Sequence, residues 1–187
     1  MQARRMPLRR ADEDLPFAQA PRTTLIEDFT SATCPPCAAT NPIFRQFLQQ
    51  FGNRVFNLAF QCNIPTTGDP MYASNTSDVN TRMTYYGINS APNCRVDGAI
   101  SSSAGPHPLN VTAAYMTSRL AKTSPIEVNV THNVILGTGG AKDSMEIKVD
   151  IKNVSSSNFN NSNYVLQTSI YEELIAFPKQ AATNGEV

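Results

Sequence analysis

Long apolar runs are missing from this 187-residue chain: none approaches the roughly 20 residues that a membrane-spanning helix needs, so no helical span is expected. A dominant charge is missing as well. The 15 Lys and Arg residues balance 15 Asp and Glu, and charged residues make up only 16% of the chain, which leaves no electrostatic footprint for nucleic acid or an anionic membrane. Cysteine is scarce: Cys34, Cys37, Cys62 and Cys94 are too few to scaffold a disulfide-rich mini-protein. A secretion signal is not visible either. The first ten residues are basic, but the acidic and mixed run 11–20 follows where an apolar core of about 7–15 residues should stand; a leader already trimmed and one that never existed both fit. What remains is an ordinary globular composition, 41% hydrophobic, at a length that suits two unequal units and shows no internal repeat.

Residues 1–22 mix charge with Pro16 and Pro21 without any period and read as a tail or linker. Thr24-Leu25-Ile26-Glu27-Asp28-Phe29 is a short β-branched and apolar run suited to a buried strand, ended by Thr30-Ser31-Ala32-Thr33. From Ala38 onward Phe44, Phe47, Leu48 and Phe51 recur at helical spacing, with Gly52 placed to cap the helix. Val55-Phe56-Asn57-Leu58-Ala59-Phe60 is the next strand, so a βαβ unit with a parallel pair is expected. Loop chemistry follows from Asn63 to Pro70, then a helix marked by Val79, Met83 and Tyr86. Asp97-Gly98 between short runs signals a hairpin, and Leu109, Ala113, Met116 and Leu120 fall on one face of a further helix ending near Lys122.

Beyond Lys122 the period changes from helical to alternating. Ile126, Val128 and Val130, then Met145, Ile147, Val149 and Ile151, then Tyr164, Leu166, Thr168 and Ile170 each alternate, with Gly- or Ser/Asn-rich turns between them. A complete immunoglobulin-like sandwich needs about seven strands in some 100 residues, so this segment is expected to be a partial sandwich. Either it leans its apolar face on the first domain or the chain is cut short. The expected division is therefore a tail at 1–22, an α/β domain at 23–122 and a β-rich segment at 123–187.

Chemistry concentrates in Cys34-Pro35-Pro36-Cys37. A cysteine at a helix N-terminus faces unpaired backbone N–H groups and the positive end of the helix dipole, which favour the thiolate. Cys37 follows one turn later, close enough to attack a mixed disulfide formed by Cys34 and release the substrate. Pro35 and Pro36 stiffen the turn, where missing N–H groups are tolerated. The rival is half of a zinc site. Zinc would need two more ligands, and Cys62, Cys94, His107 and His132 lie at irregular distances without a second close-spaced pair, so the redox reading is preferred.

The run Asp28-Phe29, four residues, Cys34-Pro35-Pro36-Cys37, four residues, Pro42 resembles the thioredoxin family, with an acid six before the first cysteine and a helix-kinking proline five after the second. Ala91-Pro92 stands where that family carries its cis-proline. The resemblance covers about residues 23–122. More narrowly, Asp69-Pro70-Met71-Tyr72, the stretch from Arg82 to Tyr85-Tyr86-Gly87, and the appended β-segment with Tyr171-Glu172-Glu173 look like the Omp28-related proteins of Bacteroidetes-type bacteria. Those proteins join a thioredoxin-like domain to a β-sandwich and are exported to the cell envelope.

The resemblance implies a role for each matching residue. Cys34 would be the attacking thiol and Cys37 the resolving thiol. Pro92, with Ala91, would hold substrate backbone beside Cys34, where Pro35 and Pro36 also line the approach. Asp28 would be the buried acid that exchanges a proton with Cys37, since an apolar strand raises a carboxylate's pKa. Two departures bear on substrate preference and potential: thioredoxins usually carry Trp before the first cysteine and Gly after it, and here Thr33 and Pro35 stand instead. Cys62 and Cys94 invite a second disulfide, but in a thioredoxin-like sheet their strands would flank the central one without touching. Two buried apolar thiols is therefore the preferred reading, less strongly in an oxidising compartment. Tyr85 and Tyr86 suit a substrate rim or core packing equally. His107 is given no role, and His132 reads as a structural histidine.

The expectation is thus an α/β thioredoxin-like fold, a central mixed sheet flanked by helices, followed by a partial antiparallel β-sandwich. It implies a thiol–disulfide oxidoreductase, an enzyme without metal or organic cofactor, acting on cysteine-containing polypeptides together with a redox partner. By resemblance it would belong to the cell envelope, periplasmic or associated with the outer membrane. The alternative is an envelope or surface protein that uses the same fold as a non-catalytic scaffold or binding module.

Overall fold

Apolar and β-branched residues fall on both faces of the run Thr24–Thr30, the composition of a strand covered from two sides. The computed structural model describes residues 19–138, 142–157 and 164–171. Its strands are β1 (Ala20–Pro21), β2 (Thr24–Thr30), β3 (Val55–Gln61), β4 (Asn93–Val96), β5 (Thr123–Ser124), β6 (Ile126–Ile135) and β7 (Ser144–Asn153). Its α-helices are α1 (Pro35–Gln49), α2 (Pro70–Ser74), α3 (Thr76–Tyr86) and α4 (Ala113–Leu120). The described residues divide into two units, one holding Arg22–Lys122 with 166–171, the other 19–21 with 123–165.

The first unit is a mixed α/β arrangement around a three-stranded sheet of order β3-β2-β4. β3 runs parallel to β2, with Thr24 opposite Val55 and Phe29 opposite Phe60; β4 runs antiparallel, with Ile26 opposite Val96 and Asp28 opposite Cys94. A parallel pair needs a crossover, and α1 supplies it. One face of the sheet packs on α1 and α4 through Ile26, Cys94 and Val96 against Phe44, Leu48, Val111 and Met116. The other packs Phe29, Cys62, Val79 and Ile88 with Phe60, Tyr72, Met83 and Tyr86 from the side of α2 and α3. Phe29 stacks on Phe60 at 5.2 Å between ring centroids, so the two strands are locked side chain to side chain as well as by the ladder.

Two helix boundaries differ from the sequence expectation for stated reasons. α1 begins at Pro35 instead of Ala38, because the first turn of a helix has no partner for its N–H groups and so tolerates two prolines. It ends at Gln49, where Gln50 and Phe51 bond three residues back and tighten the last turn; Gly52 takes the left-handed φ of +57° one step further on and opens a short 3₁₀ turn. Leu109 falls outside α4 in another 3₁₀ turn, Pro108–Asn110, and is exposed, while Met116 carries that helix's burial. The Asp97-Gly98 turn forms as the sequence indicates. Both residues have positive φ, 47° and 80°, Val96 bridges Ala99, and the Asp97 carboxylate receives Arg22 and Arg119.

In the second unit β1 pairs antiparallel with β5, and β6 pairs with β7 in a ten-residue antiparallel ribbon from Ile126–Asn153 to Ile135–Ser144. One face carries Val128, Val130 and Val134 opposite Ile151, Val149 and Met145. The other carries pairs such as Glu127 with Lys152. His132 sits among the valines but is exposed, as are most ribbon residues. The third strand expected at 164–170 is not formed: alternation marks a residue pattern that suits a sheet, and a strand exists only where an edge accepts its hydrogen bonds. The expected Glu172-Glu173 and the rest of the chain beyond Tyr171 lie outside the described residues, as does most of the 1–22 tail. No described helix is long and apolar enough to cross a membrane.

Candidate functional site

β2 ends at Thr30, and three residues later the chain must turn into α1. Within that turn the Cys34 N–H donates to the Ser31 carbonyl at 3.2 Å, while Cys37 and Ala38 donate back to the Cys34 carbonyl. Cys34 is the N-cap of α1, with extended φ and ψ, and its Sγ accepts the Cys37 N–H at 3.1 Å. Pro35 and Pro36 have no N–H, so Cys37 supplies the first amide donor of the helix, and it points at sulfur. Cys34 and Cys37 are joined as a disulfide. Both cysteines are 0% exposed, whereas Pro35 and Pro36 are exposed.

The remaining residues singled out by sequence gather at the same end of the sheet. Asp28 is buried on β2, opposite Cys94 in the ladder and on the face that packs on α1. The Ala91–Pro92 peptide is cis, and Pro92 is buried. Because Asn93 pairs with Phe29, extending the antiparallel register by one step sets Pro92 beside Thr30, four residues before Cys34. On the other side Cys62 donates its N–H to the Thr30 carbonyl at 2.6 Å. The end of β2 is therefore flanked by Cys62 and Pro92, with the disulfide turn leaving from it.

Cys62 and Cys94 are free and buried. Their thiols are each pushed up to about 12, first by burial. For Cys62 the Asp69 and then the Asp28 carboxylate add to the shift; for Cys94 Asp28 adds to it and Arg95 opposes it. Neither forms a thiolate near neutral pH, which makes them packing residues. Tyr86 packs edge-on to Phe29 at 6.0 Å, and Tyr85 is 71% exposed.

Two buried carboxylates to which the sequence reading gave no role of their own organise this region. Asp69, 1% exposed, accepts from Ser31 Oγ at 2.9 Å and the Ala32 N–H at 2.6 Å with one oxygen, and from the Met71 and Tyr72 N–H groups at 2.8 Å with the other. It thus caps α2 and pins the turn before Cys34 in one stroke. The Asp-Pro pair at a helix start was the available signal, an N-cap followed by proline at N1. Glu27 accepts from Arg82 Nε and from the Tyr86 hydroxyl. Burial and this bond push the Tyr86 phenol up to about 12, and the bond to Glu27 raises the Arg82 guanidinium further above its usual range. Arg82 also lies over the Tyr85 and Tyr86 rings at 4.9 and 4.8 Å. No local sequence signal announces a pair separated by 55 residues.

Fold and site together define a mixed α/β protein with a cysteine pair at the N-terminus of its first helix. No protein-family model and no curated protein matches the chain. Among solved structures it is similar to HBP35 of Porphyromonas gingivalis, at 18% identity and a TM-score of 0.49, over 60% of this chain and 38% of that one. It is also similar to a protein from Agrobacterium tumefaciens solved by X-ray crystallography, at 18% identity and a TM-score of 0.39, over 61% of this chain and 53% of that one. The chain therefore spans well under two thirds of the length of either structure.

Proposed function

We propose that this protein is a thiol–disulfide oxidoreductase of the thioredoxin-like class that exchanges disulfides with cysteine-containing polypeptides through Cys34 and Cys37. The observation that carries this reading is the N-cap position of Cys34, whose sulfur receives the Cys37 amide at 3.1 Å. A thiolate there keeps that donor and the helix dipole, so the reduced form is accommodated without rebuilding the turn. In the reducing direction the Cys34 thiolate attacks one sulfur of a substrate disulfide, and the other sulfur leaves as a thiolate. The Cys37 thiolate then attacks Cys34 Sγ and releases the second substrate sulfur, so two electrons pass from the dithiol to the substrate. Asp28 would take the Cys37 proton, and the backbone around Ala91 and Pro92 would hold the substrate chain past the exposed Pro35-Pro36 corner. A separate redox partner would then restore the dithiol.

The Asp69-Pro70-Met71-Tyr72 and Tyr85-Tyr86-Gly87 segments support a relation to the Omp28-related proteins, and with it a place in the cell envelope. A second reading is favoured by one observation: both disulfide residues are 0% exposed, as in a static bond within a scaffold or binding module. Insulin reduction by dithiothreitol separates the two. The wild-type protein should accelerate insulin precipitation, and Cys34→Ser should lose the whole gain; no acceleration by the wild type would favour the scaffold.

A further inference from the structure

Exchange requires a thiolate to reach one of the two disulfide sulfurs, and here neither cysteine is exposed. The turn that carries them is tied to one neighbouring segment, residues 63–69. At its base, Asp69 is buried and holds Ser31 and Ala32. Asn63 Oδ1 accepts from the Gly68 and Asp69 N–H groups and closes the segment into a loop. At its tip, residues 65–68 are exposed, and Thr66 exchanges two hydrogen bonds with Thr33, the residue before Cys34. Thr33 Oγ1 donates to the Thr66 carbonyl at 3.0 Å, and Thr66 Oγ1 donates to the Thr33 carbonyl. The base is therefore fixed by a buried carboxylate, while the tip is held through the exposed Thr66 on the buried Thr33, by part-buried bonds that water can take over once the tip lifts.

We propose that the 63–68 loop is a gate over the Cys34–Cys37 disulfide, latched by Thr66 to Thr33, and that exchange proceeds through the unlatched state. This rests on the reading of Cys34–Cys37 as an exchangeable disulfide and adds its regulation: reaction rate is set by loop opening, while the redox equilibrium is not. Substrates would then be those that compete for the Thr33 backbone carbonyl as they approach, which favours extended polypeptides with free N–H groups over small thiols.

The test uses dithiothreitol as reductant of the full-length oxidised protein. One of its thiolates attacks a protein sulfur and expels the other cysteine as a thiolate; its second thiol then closes the oxidised ring and leaves a protein dithiol. Aliquots are acid-quenched, denatured and tagged with a maleimide polymer, which distinguishes the two thiols Cys62 and Cys94 from all four cysteines. Thr66→Val and Thr66→Ala should each raise the second-order reduction rate about two- to tenfold, the effect of removing one net hydrogen bond from a local opening equilibrium. Thr66→Ser should restore the wild-type rate, and the equilibrium constant with glutathione should stay within about twofold of wild type for every variant. Unchanged rates in both Val and Ala variants would overturn the gate, as would faster reduction accompanied by an equal shift in the equilibrium constant, or a Ser variant as fast as Val. Faster reduction of the Val variant in a protein inactive on insulin would leave the gate standing and remove the enzyme.

Discussion

Cys34 and Cys37 stand at the head of a helix, whereas Cys62 and Cys94 stand on or beside the strands that flank β2, and all four are withdrawn from solvent. The first pair faces an amide donor and the positive end of α1. The second faces carboxylates, Asp69 and Asp28 around Cys62 and Asp28 around Cys94. Burial is common to both pairs and is the first cause of the raised strand thiols, so the contrast between the pairs lies in their neighbours. What differs is the set of groups around each sulfur: an amide donor at the head of α1 for Cys34, and for the strand thiols carboxylates that add to the effect of burial, opposed at Cys94 by Arg95. Asp69 takes part on both sides, since it anchors the turn before Cys34 and adds negative charge near Cys62.

Removing that shared residue is the strongest way to break the contrast. Asp69→Ala leaves four donors without their acceptor, two of them in the turn before Cys34, and deletes the N-cap of α2. The expected cost is about 3–5 kcal/mol in urea unfolding at neutral pH. Asp69→Asn keeps an acceptor oxygen and should cost about 1–2 kcal/mol. A loss below about 1 kcal/mol for the Ala variant would mean that the turn before Cys34 supports itself without the Asp69 bonds.

The strand thiols can be tested by their own titration. Each rises from the ordinary value of 9.0 to about 12 in the folded protein, so above pH 9 the unfolded chain gives up protons that the folded chain retains. Their contribution is fully present below pH 9 and is lost as the pH climbs toward 12. Between pH 9 and 10 the urea unfolding free energy should fall by up to about 1.4 kcal/mol for each thiol. Cys62→Ala should halve that slope whatever it does to stability at neutral pH. The Tyr86 phenol, shifted from 10.0 to about 12, adds a smaller share toward pH 10 that is the same with and without Cys62. A slope unchanged by Cys62→Ala would show that this thiol meets water and does not share the environment of its partner.

How much of this could be read from the sequence differs between the two kinds of feature. The strand Thr24–Thr30, the helix with Phe44 and Leu48 inward and the Asp97-Gly98 turn are local or lie on recognisable spacing, the cis bond at Ala91–Pro92 is what the thioredoxin resemblance implies, and the structure has them all. The pairing of Glu27 with Arg82 and of Asp69 with Ser31 depends on segments 55 and 38 residues apart, and a charged residue in a strand or loop carries no mark of its partner. The stretch 164–170 shows the opposite failure. Its alternation is as clear as that of β6, yet β6 has β7 beside it, and residues 164–170 form no strand. Periodicity states which faces a segment could offer; the hydrogen-bonding neighbour decides whether it is used.

An effect no larger than that of one strand thiol is expected at the cysteine pair's own corner. Pro35 and Pro36 remove two of the N–H groups that would otherwise surround Cys34 Sγ and leave Cys37 as the amide donor seen there. Pro36→Ala restores an N–H at the second helical position, one of the two from which an N-cap side chain accepts. A thiolate gains more from that donor than a disulfide sulfur does, because charge-assisted bonds are the stronger ones. The dithiol state is therefore stabilised, and the couple should become more oxidising by about 30 mV, the equivalent of about 1.4 kcal/mol for two electrons. Equilibration with glutathione reads this directly, and the same substitution should leave the alkaline slope of the strand thiols untouched. A potential that does not move would mean that amide donors at the head of α1 have no hold on Cys34. The difference between the two cysteine pairs would then rest on the surroundings of the strand thiols and not on the head of α1.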